Sequence, residues 1–306
     1  MSCKLANMVK TLFNSRERKL KLLELRGKRL DDETYIRKLY PLLTGRPLNL
    51  DKPQTYTEKL QWLKLYDRNP KYTMMQDKYA VRDYVKNTIG EEYLIPLLGV
   101  WEKADDINFD ELPDQFVLKC NHDCASVTIC RDKKSFDREK AREKLRECLN
   151  ADYYQPGREW VYKDIPRRII AEQYMHNGNE KVLTDYKFFC CSGKARMVLV
   201  ASGEAHTEER RLDYYDMDFN RLPIKRGSLA ESGIAYTKPD GFDRMRELAE
   251  KLAGDIPFIR VDFYWVDHHP YFGEVAFYPS GGFAMFSPDE WEEKIGSWIS
   301  LPQKKQ

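Results

Sequence analysis

Two carboxylates, Asp262 and Glu274, fall in a stretch whose residue types specify a strand hairpin. Residues 256–266 (Ile-Pro-Phe-Ile-Arg-Val-Asp-Phe-Tyr-Trp-Val) alternate and are rich in β-branched and aromatic side chains. Asp267-His268-His269-Pro270 reads as a turn, and 271–278 returns as the second strand. A turn centred on His268 sets Asp262 and Glu274 directly opposite each other on one face. Like charges opposed at that spacing destabilise a sheet unless something positive lies between them. A hard cation such as Mg²⁺ does this with few carboxylates and leaves room for phosphate oxygens. Arg260, two residues before Asp262, joins the same face, and the combination points to phosphoryl chemistry. The competing reading of these residues alone is a solvated, charged strand face.

Three other clusters carry possible chemistry. The run 116–127 (Phe-Val-Leu-Lys-Cys-Asn-His-Asp-Cys-Ala-Ser-Val) is a buried strand ending on Lys119, followed by small polar residues. Such a loop can offer backbone N–H groups to phosphates, with the lysine as a point charge; a lysine at a strand edge is the plainer alternative. The run 168–175 is an apolar strand ending on Glu172, and a carboxylate beside free backbone groups can read an adenine edge. Asp216-Met217-Asp218 has the Asp-x-Asp spacing that metal-dependent sugar-nucleotide glycosyltransferases use, although Tyr214–Asn220 also reads as a strand entering an Asp/Asn turn. The five histidines show no metal-ligand spacing.

Elements must position these groups. Residues 1–70 read as mostly helical, with a capping box at Thr55-Tyr-Thr-Glu58. Asp77 is placed to cap a helix carrying Lys78 and Arg82 on one face, and 135–150 forms an amphipathic helix. Strands are expected at 116–119, 168–171, 185–191 and 195–202, then an irregular polar stretch over 203–237 and a helix over 240–253. At 306 residues the chain can bury a full core. Charge is nearly balanced, with 51 Lys and Arg against 49 Asp and Glu, which argues against a nucleic-acid binder. Seven cysteines without a Cys-x-x-Cys pair suggest reduced thiols rather than disulfides or structural zinc. No apolar run approaches a membrane span and no signal peptide is visible, so a cytoplasmic location is expected. Residues 1–29 hold nine basic and two acidic residues, a net +7, with apolar residues at helical spacing. Such a segment can lie on an anionic membrane surface or be an ordinary exposed helix with one packed face.

The order of the clusters resembles the ATP-grasp superfamily, and from about residue 35 onward the chain is similar to the TupA-like ATP-grasp proteins of surface-polysaccharide loci, named for teichuronopeptide synthesis. The similar stretches begin at Leu42 (Leu-Leu-Thr-Gly-Arg-Pro-Leu-Asn-Leu-Asp), Thr57 (Thr-Glu-Lys-Leu-Gln-Trp-Leu-Lys-Leu-Tyr-Asp), Phe116 (Phe-Val-Leu-Lys-Cys-Asn-His-Asp), Ile169 (Ile-Ile-Ala-Glu), Asp185 (Asp-Tyr-Lys-Phe-Phe) and Arg260 (Arg-Val-Asp-Phe-Tyr). The resemblance implies an α+β, ATP-grasp fold in which two subdomains with antiparallel sheets grip ATP. The expected division is a helical segment over 1–70, a phosphate-loop subdomain over 71–180 and a metal-binding subdomain over 181–306. Lys78 and Lys119 match the lysines on the α- and β-phosphates. Asn121, His122, Asp123 and Ser126 match the mobile phosphate loop. Glu172 matches the adenine-reading hinge residue, with Gln173 and Tyr174 as hinge backbone. Asp185 and Lys187 match a segment lining the nucleotide cleft. Asp262 and Glu274 match the Mg²⁺ ligands, Arg260 faces the transferred phosphoryl group, and Gly281-Gly282 matches a turn whose N–H groups stabilise the tetrahedral intermediate.

Three departures stand out. Ala276 replaces the asparagine of the common Glu-x-Asn metal motif. Cys124-Ala125 stands where Ser-Gly is frequent, making the loop less permissive. A helical segment stands where a Rossmann-like domain often precedes the module. The implied function is an ATP-dependent carboxylate–amine ligase acting through an acyl phosphate, without a visible general base. Its carboxylate would come from a uronic acid in a surface polysaccharide or lipid-linked oligosaccharide, and its amine from an amino acid. A lipid-linked acceptor would bring the basic N-terminus to the inner face of the membrane. The alternatives are a glycosyltransferase using Asp216 and Asp218, and a non-catalytic nucleotide-binding protein.

Overall fold

The computed structural model describes residues 15–178, 182–203, 210–226 and 234–304. The start of the basic segment, with Lys4 and Lys10, lies outside the described residues. Helices α1 (Ser15–Arg26), α2 (Asp32–Thr44) and α3 (Tyr56–Tyr66) come first. The Asp31 carboxylate accepts the Thr34 N–H at 2.8 Å and starts α2. The expected capping box starts α3, with Glu58 accepting the Thr55 N–H at 3.1 Å and Thr55 accepting the Glu58 N–H at 3.3 Å. Leu23 of α1 packs with Tyr35, Leu39 and Tyr40. Leu22 and Leu25 of the same helix are 43% and 75% exposed among its basic residues. Two short helices follow, α4 (Lys71–Gln76) and α5 (Val81–Thr88). Lys78 lies in the turn between them rather than on a helix. Asp77 stays with that turn, accepting the Tyr79 N–H at 2.8 Å.

The first sheet comprises β1 (Leu97–Trp101), β2 (Phe116–Cys120), β3 (Thr128–Cys130) and β4 (Ile169–Gln173), in the antiparallel order β1-β4-β2-β3. Phe116, Leu118 and Cys120 are buried with Ala141 and Leu145 of α6 (Arg138–Asn150). Strand alternation then turns Val117 and Lys119 to the opposite face. Val117 pairs with Glu172 and Lys119 with Ile170, so Glu172 shares that face.

The second sheet has the order β10-β9-β5-β6-β7, also antiparallel. Its strands are β5 (Asp185–Cys191), β6 (Lys194–Ser202), β7 (Arg211–Tyr215), β9 (Phe258–Val266) and β10 (His269–Ala276). A two-stranded pair joins β8 (Lys225–Arg226) to β11 (Phe286–Ser287). Helix α7 (Phe242–Ala253) covers one face, with Phe242 against Phe188. Helix α8 (Glu290–Ser297) closes the chain beside α3, where the buried Glu292 accepts the Thr57 hydroxyl at 2.8 Å. Strand β7 corrects the expectation of an irregular 203–237: its side chains are half core and half polar, so no apolar run announces it.

The hairpin reaches the expected pairing by an unexpected route. Val266 pairs with His269, so Asp267 and His268 alone make the turn, both with left-handed φ (49° and 59°). That turn by itself would oppose Asp262 to Gly273. A bulge at Gly273 adds one residue to β10 and brings Glu274 opposite Asp262. A side chain at Gly273 would crowd Tyr264 Cε2 at 3.2 Å and the Asp262 carbonyl at 3.3 Å, so glycine suits the bulge.

Candidate active site

The inward faces of the two sheets carry the chemistry. On the second sheet, Lys187 pairs in register with Asp262, and Asp262 with Glu274, forming one row across three strands. Arg260 lies on the same face. Its guanidinium donates to both Asp262 oxygens (2.7 and 2.6 Å) and to Glu274 Oε1 (3.1 Å). The Lys187 ammonium donates to Asp262 Oδ2 at 2.6 Å and lies 3.4 Å from Asp185. Arg210 donates to Asp185 at 2.8 Å. The positive charge expected between the opposed carboxylates is thus already supplied by the protein, from Arg260. Burial alone would raise the Glu274 pKa, but Lys78, Arg260, Lys187 and Lys119 outweigh it and hold the carboxyl at about 2.

On the first sheet, the Lys119 ammonium pairs with Glu172 Oε2 at 2.6 Å, the diagonal contact their register allows. Arg82 reaches the other Glu172 oxygen at 3.5 Å and donates to the Ile95 carbonyl at 2.9 Å. Lys78 spans the two sheets, donating to the Asp123 carbonyl and standing 3.4 Å from Glu274 Oε2. Among the described residues, six basic side chains (Lys78, Arg82, Lys119, Lys187, Arg210, Arg260) face four carboxylates (Glu172, Asp185, Asp262, Glu274). The excess positive charge suits a polyanion.

A cavity of about 600 Å³ opens beside this cluster. Ile95, Val117, Ile129, Met175 and Leu183 make its apolar walls, while Lys119, Glu172, Asp185 and Arg210 stand at its charged edge. Gln173, which ends β4 opposite Phe116, and Tyr174 line it too. The Gln173 N–H is committed to the Pro96 carbonyl at 3.0 Å. An apolar slot with a few polar groups at one end fits a planar base whose phosphates run toward the charges.

The loop after β2 is arranged differently from a loop whose side chains reach for a ligand. Asn121 donates to Asp77 and to the Pro166 carbonyl, both at 2.8 Å, and accepts the Arg168 N–H at 2.7 Å. Ser126 accepts the Cys120 N–H at 2.6 Å and donates to Asp123 at 2.5 Å. His122 is buried edge-on to Tyr153, and burial lowers its pKa. Ser126 and Asp123 thus tie the loop to itself and Asn121 ties it to its neighbours, while both His122 ring nitrogens are buried without a hydrogen-bond partner among the described residues. Cys124, Ala125 and Val127 are the loop residues that line the cavity.

The Gly281-Gly282 turn runs through three consecutive left-handed residues, with φ of 54°, 63° and 73° at Ser280, Gly281 and Gly282. The sequence reading missed what anchors it. Lys64 of α3, fully buried, donates to the Gly281 carbonyl (2.6 Å), the Gly157 carbonyl (2.9 Å) and Gln61 Oε1 (2.9 Å). Gln61 donates to the Gly282 carbonyl at 2.8 Å. Since a trans peptide sets N–H opposite C=O, the Gly282 N–H points away from Lys64. Thr57, Gln61 and Lys64 form a polar stripe beside Leu60 and Leu63, and that stripe on an otherwise core-forming helix was the available signal. Arg210, adjoining residues outside the described set, had no such signal.

Asp262 and Glu274 supply hard oxygen donors of the kind Mg²⁺ takes alongside water and phosphate. Among the described residues no group of three or more His, Cys, Asp or Glu could hold a metal alone, so most of the shell would come from elsewhere. Asp216 and Asp218 are not poised for a metal. Asp216 accepts the backbone N–H groups of Asp218 (3.0 Å) and Asn220 (2.8 Å), closing a turn.

The sequence matches the model of one protein family, described as TupA-like ATPgrasp, over residues 58–300. No curated protein matches it. Among solved structures it is similar to the D-alanine–D-alanine ligase from Helicobacter pylori (14% identity, 81% of this chain and 69% of that one, TM-score 0.44). It is also similar to the D-alanine–D-alanine ligase from Bacillus anthracis complexed with ATP (16%, 67% and 55%, 0.39) and to the L-amino acid ligase from Bacillus licheniformis (13%, 72% and 48%, 0.43). The chain spans just over half the length of the Bacillus anthracis ligase.

Proposed function

The chain belongs to the TupA-like ATP-grasp family, whose model covers residues 58–300, and from that premise we propose that it is an ATP-dependent carboxylate–amine ligase. The observation that carries the proposal is the excess of basic side chains, among the described residues, between the two sheets, at the charged end of an apolar cavity edged by Glu172. In this reading the adenine enters the cavity, where Glu172 and the Gln173-Tyr174 backbone read its edge. Lys119 and Lys78 hold the α- and β-phosphates, and the backbone around Cys124 and Ala125 covers them. Asp185 and Lys187 line the cleft, and Lys187 orients Asp262. Arg260 faces the phosphoryl group that passes to the substrate carboxylate, lowering the charge barrier to forming an acyl phosphate. Asp262 and Glu274 would hold Mg²⁺, which when bound neutralises phosphate charge. The Gly282 N–H would donate to the oxyanion when an amine attacks.

The finer proposal is that the carboxylate is that of a uronic acid in surface-polysaccharide biosynthesis and the amine that of an amino acid. It draws on the family's association and on the basic character of the cleft, which suits an acidic sugar. Contact with a membrane surface is part of the same proposal. Arg16, Arg18, Lys19, Lys21 and Arg26 of α1 surround the exposed Leu22 and Leu25. Removing residues 1–29 should then abolish sedimentation with phosphatidylglycerol vesicles; unchanged sedimentation would rule the contact out.

The direct test is ADP release from ATP and Mg²⁺ across a panel of uronic acids and amino acids. Asp216→Asn/Asp218→Asn should leave the rate within about twofold, as for surface changes away from a site. ADP release that depends on no carboxylate, or stabilisation by UDP-sugar and not by ATP, would defeat the ligase reading.

A further inference from the structure

The proposed reaction needs a group that accepts a proton from the incoming amine, and one carboxylate beyond the phosphate cluster is free to do so. Glu159 precedes a short helical turn (Trp160–Tyr162) and is partly exposed. It lies between two glycines. A side chain added at Gly157 would meet Glu159 Oε1 at 3.2 Å, and one added at Gly281 would meet it at 3.6 Å. The carboxylate therefore stands against the turn that faces the tetrahedral centre.

Its nearest counter-charge is Lys64, but that ammonium already spends three hydrogen bonds on Gln61, Gly157 and Gly281. Among the described residues nothing donates a hydrogen bond to Glu159. Its lone pairs are therefore uncommitted among the described residues. Burial, Glu159 and Glu274 all push the Tyr162 hydroxyl well above its usual pKa. The Cys124 thiol of the phosphate loop feels the same two carboxylates.

We propose that Glu159 receives the ammonium group of the amine substrate and takes its first proton. The nitrogen lone pair then forms the C–N bond at the acyl carbon. The C–O bond to phosphate breaks, its electrons leave with the phosphate, and the second nitrogen proton goes to that phosphate. Partial burial raises the Glu159 pKa against the pull of Lys64, the direction that suits exchanging a proton near neutral pH. The inference rests on the ligase reading.

The test separates the two. The full chain is saturated with a non-hydrolysable ATP analogue and Mg²⁺, and a panel of amino acid amides is titrated by ligand-observed NMR, with their N-acetyl derivatives as controls. At least one amide should bind and its acetylated form should not. Glu159→Gln should weaken that amide by at least about tenfold, the worth of one charge-assisted hydrogen bond, and Glu159→Asp by less. Analogue affinity should stay the same in both variants. If no amide binds, if Glu159→Gln binds it as tightly, or if Glu159→Gln loses the analogue as well, the assignment is overturned. Failure of the wild-type chain to bind the analogue would overturn the ligase reading itself.

Discussion

Lys119→Met should weaken nucleotide binding about a hundredfold while leaving the fold almost untouched. Lys119 projects from β2 toward the cavity because its neighbours Leu118 and Cys120 are committed to the core. Its ammonium is held at 2.6 Å by Glu172, so it is pre-positioned for phosphate. Removing it does not orphan Glu172, because Arg82 stands 3.5 Å from the other oxygen. The destabilisation without ligand should therefore stay near about 1 kcal/mol, below the cost of stranding a buried charge. The loss of affinity should be about a hundredfold, as for one buried charged contact to phosphate. With ATP at a hundred times the wild-type Kd, stabilisation should fall from about 2.7 to about 0.4 kcal/mol. Thermal unfolding with and without ATP and Mg²⁺ measures both quantities. An unchanged ligand shift would take Lys119 out of the site.

Why some of this site was legible and some was not follows from the range of the interactions. Strand alternation is local, so Lys119, Glu172, Lys187, Arg260 and Asp262 could be assigned to faces from sequence, and the sheet registers place them as alternation requires. The opposition of Asp262 and Glu274 was legible only by compensation, since the turn begins earlier than expected and the Gly273 bulge restores the pairing. Gln61 and Lys64 meet Gly281 across more than two hundred residues, which no local periodicity encodes. The loop after β2 shows the opposite limit. Its polar residues suggested ligand contacts, but Ser126 finds its partner within the loop, at Asp123, and Asn121 finds its partners in the flanking segments, at Asp77, Pro166 and Arg168. Asp216 likewise satisfies its turn before it could serve a metal.

Arg260→Ala should have the largest effect on both stability and turnover. The guanidinium makes three charge-assisted bonds, two to Asp262 and one to Glu274, and these carboxylates keep it charged: burial alone would lower its pKa, and Asp262 more than reverses that. Its loss leaves two carboxylates facing each other across β9 and β10, with Lys187 on one and Lys78 at 3.4 Å from the other. Breaking a buried pair costs about 3–5 kcal/mol, and the two remaining lysines should hold the loss to about 2–3. Proton linkage sets where this shows. Glu274 is held at about 2 in the folded chain against an ordinary 4.5, so its pairing stabilises the fold fully above pH 4.5. That contribution disappears as the pH falls through the window to 2, where both states bind the proton. The gap between wild type and Arg260→Ala should therefore be widest above pH 4.5 and narrow toward pH 2. Denaturant titrations across that range measure it. Mg²⁺ gives a second reading: a vacated space between two carboxylates should bind it, so millimolar Mg²⁺ without nucleotide should recover part of the lost stability in the variant and do little for the wild type. Turnover should stay down by about a thousandfold or more, because a metal between carboxylates does not replace the donor facing the phosphoryl group. A variant as stable as wild type at neutral pH and indifferent to Mg²⁺ would show that Arg260 is not the counter-charge on which the row of Lys187, Asp262 and Glu274 depends.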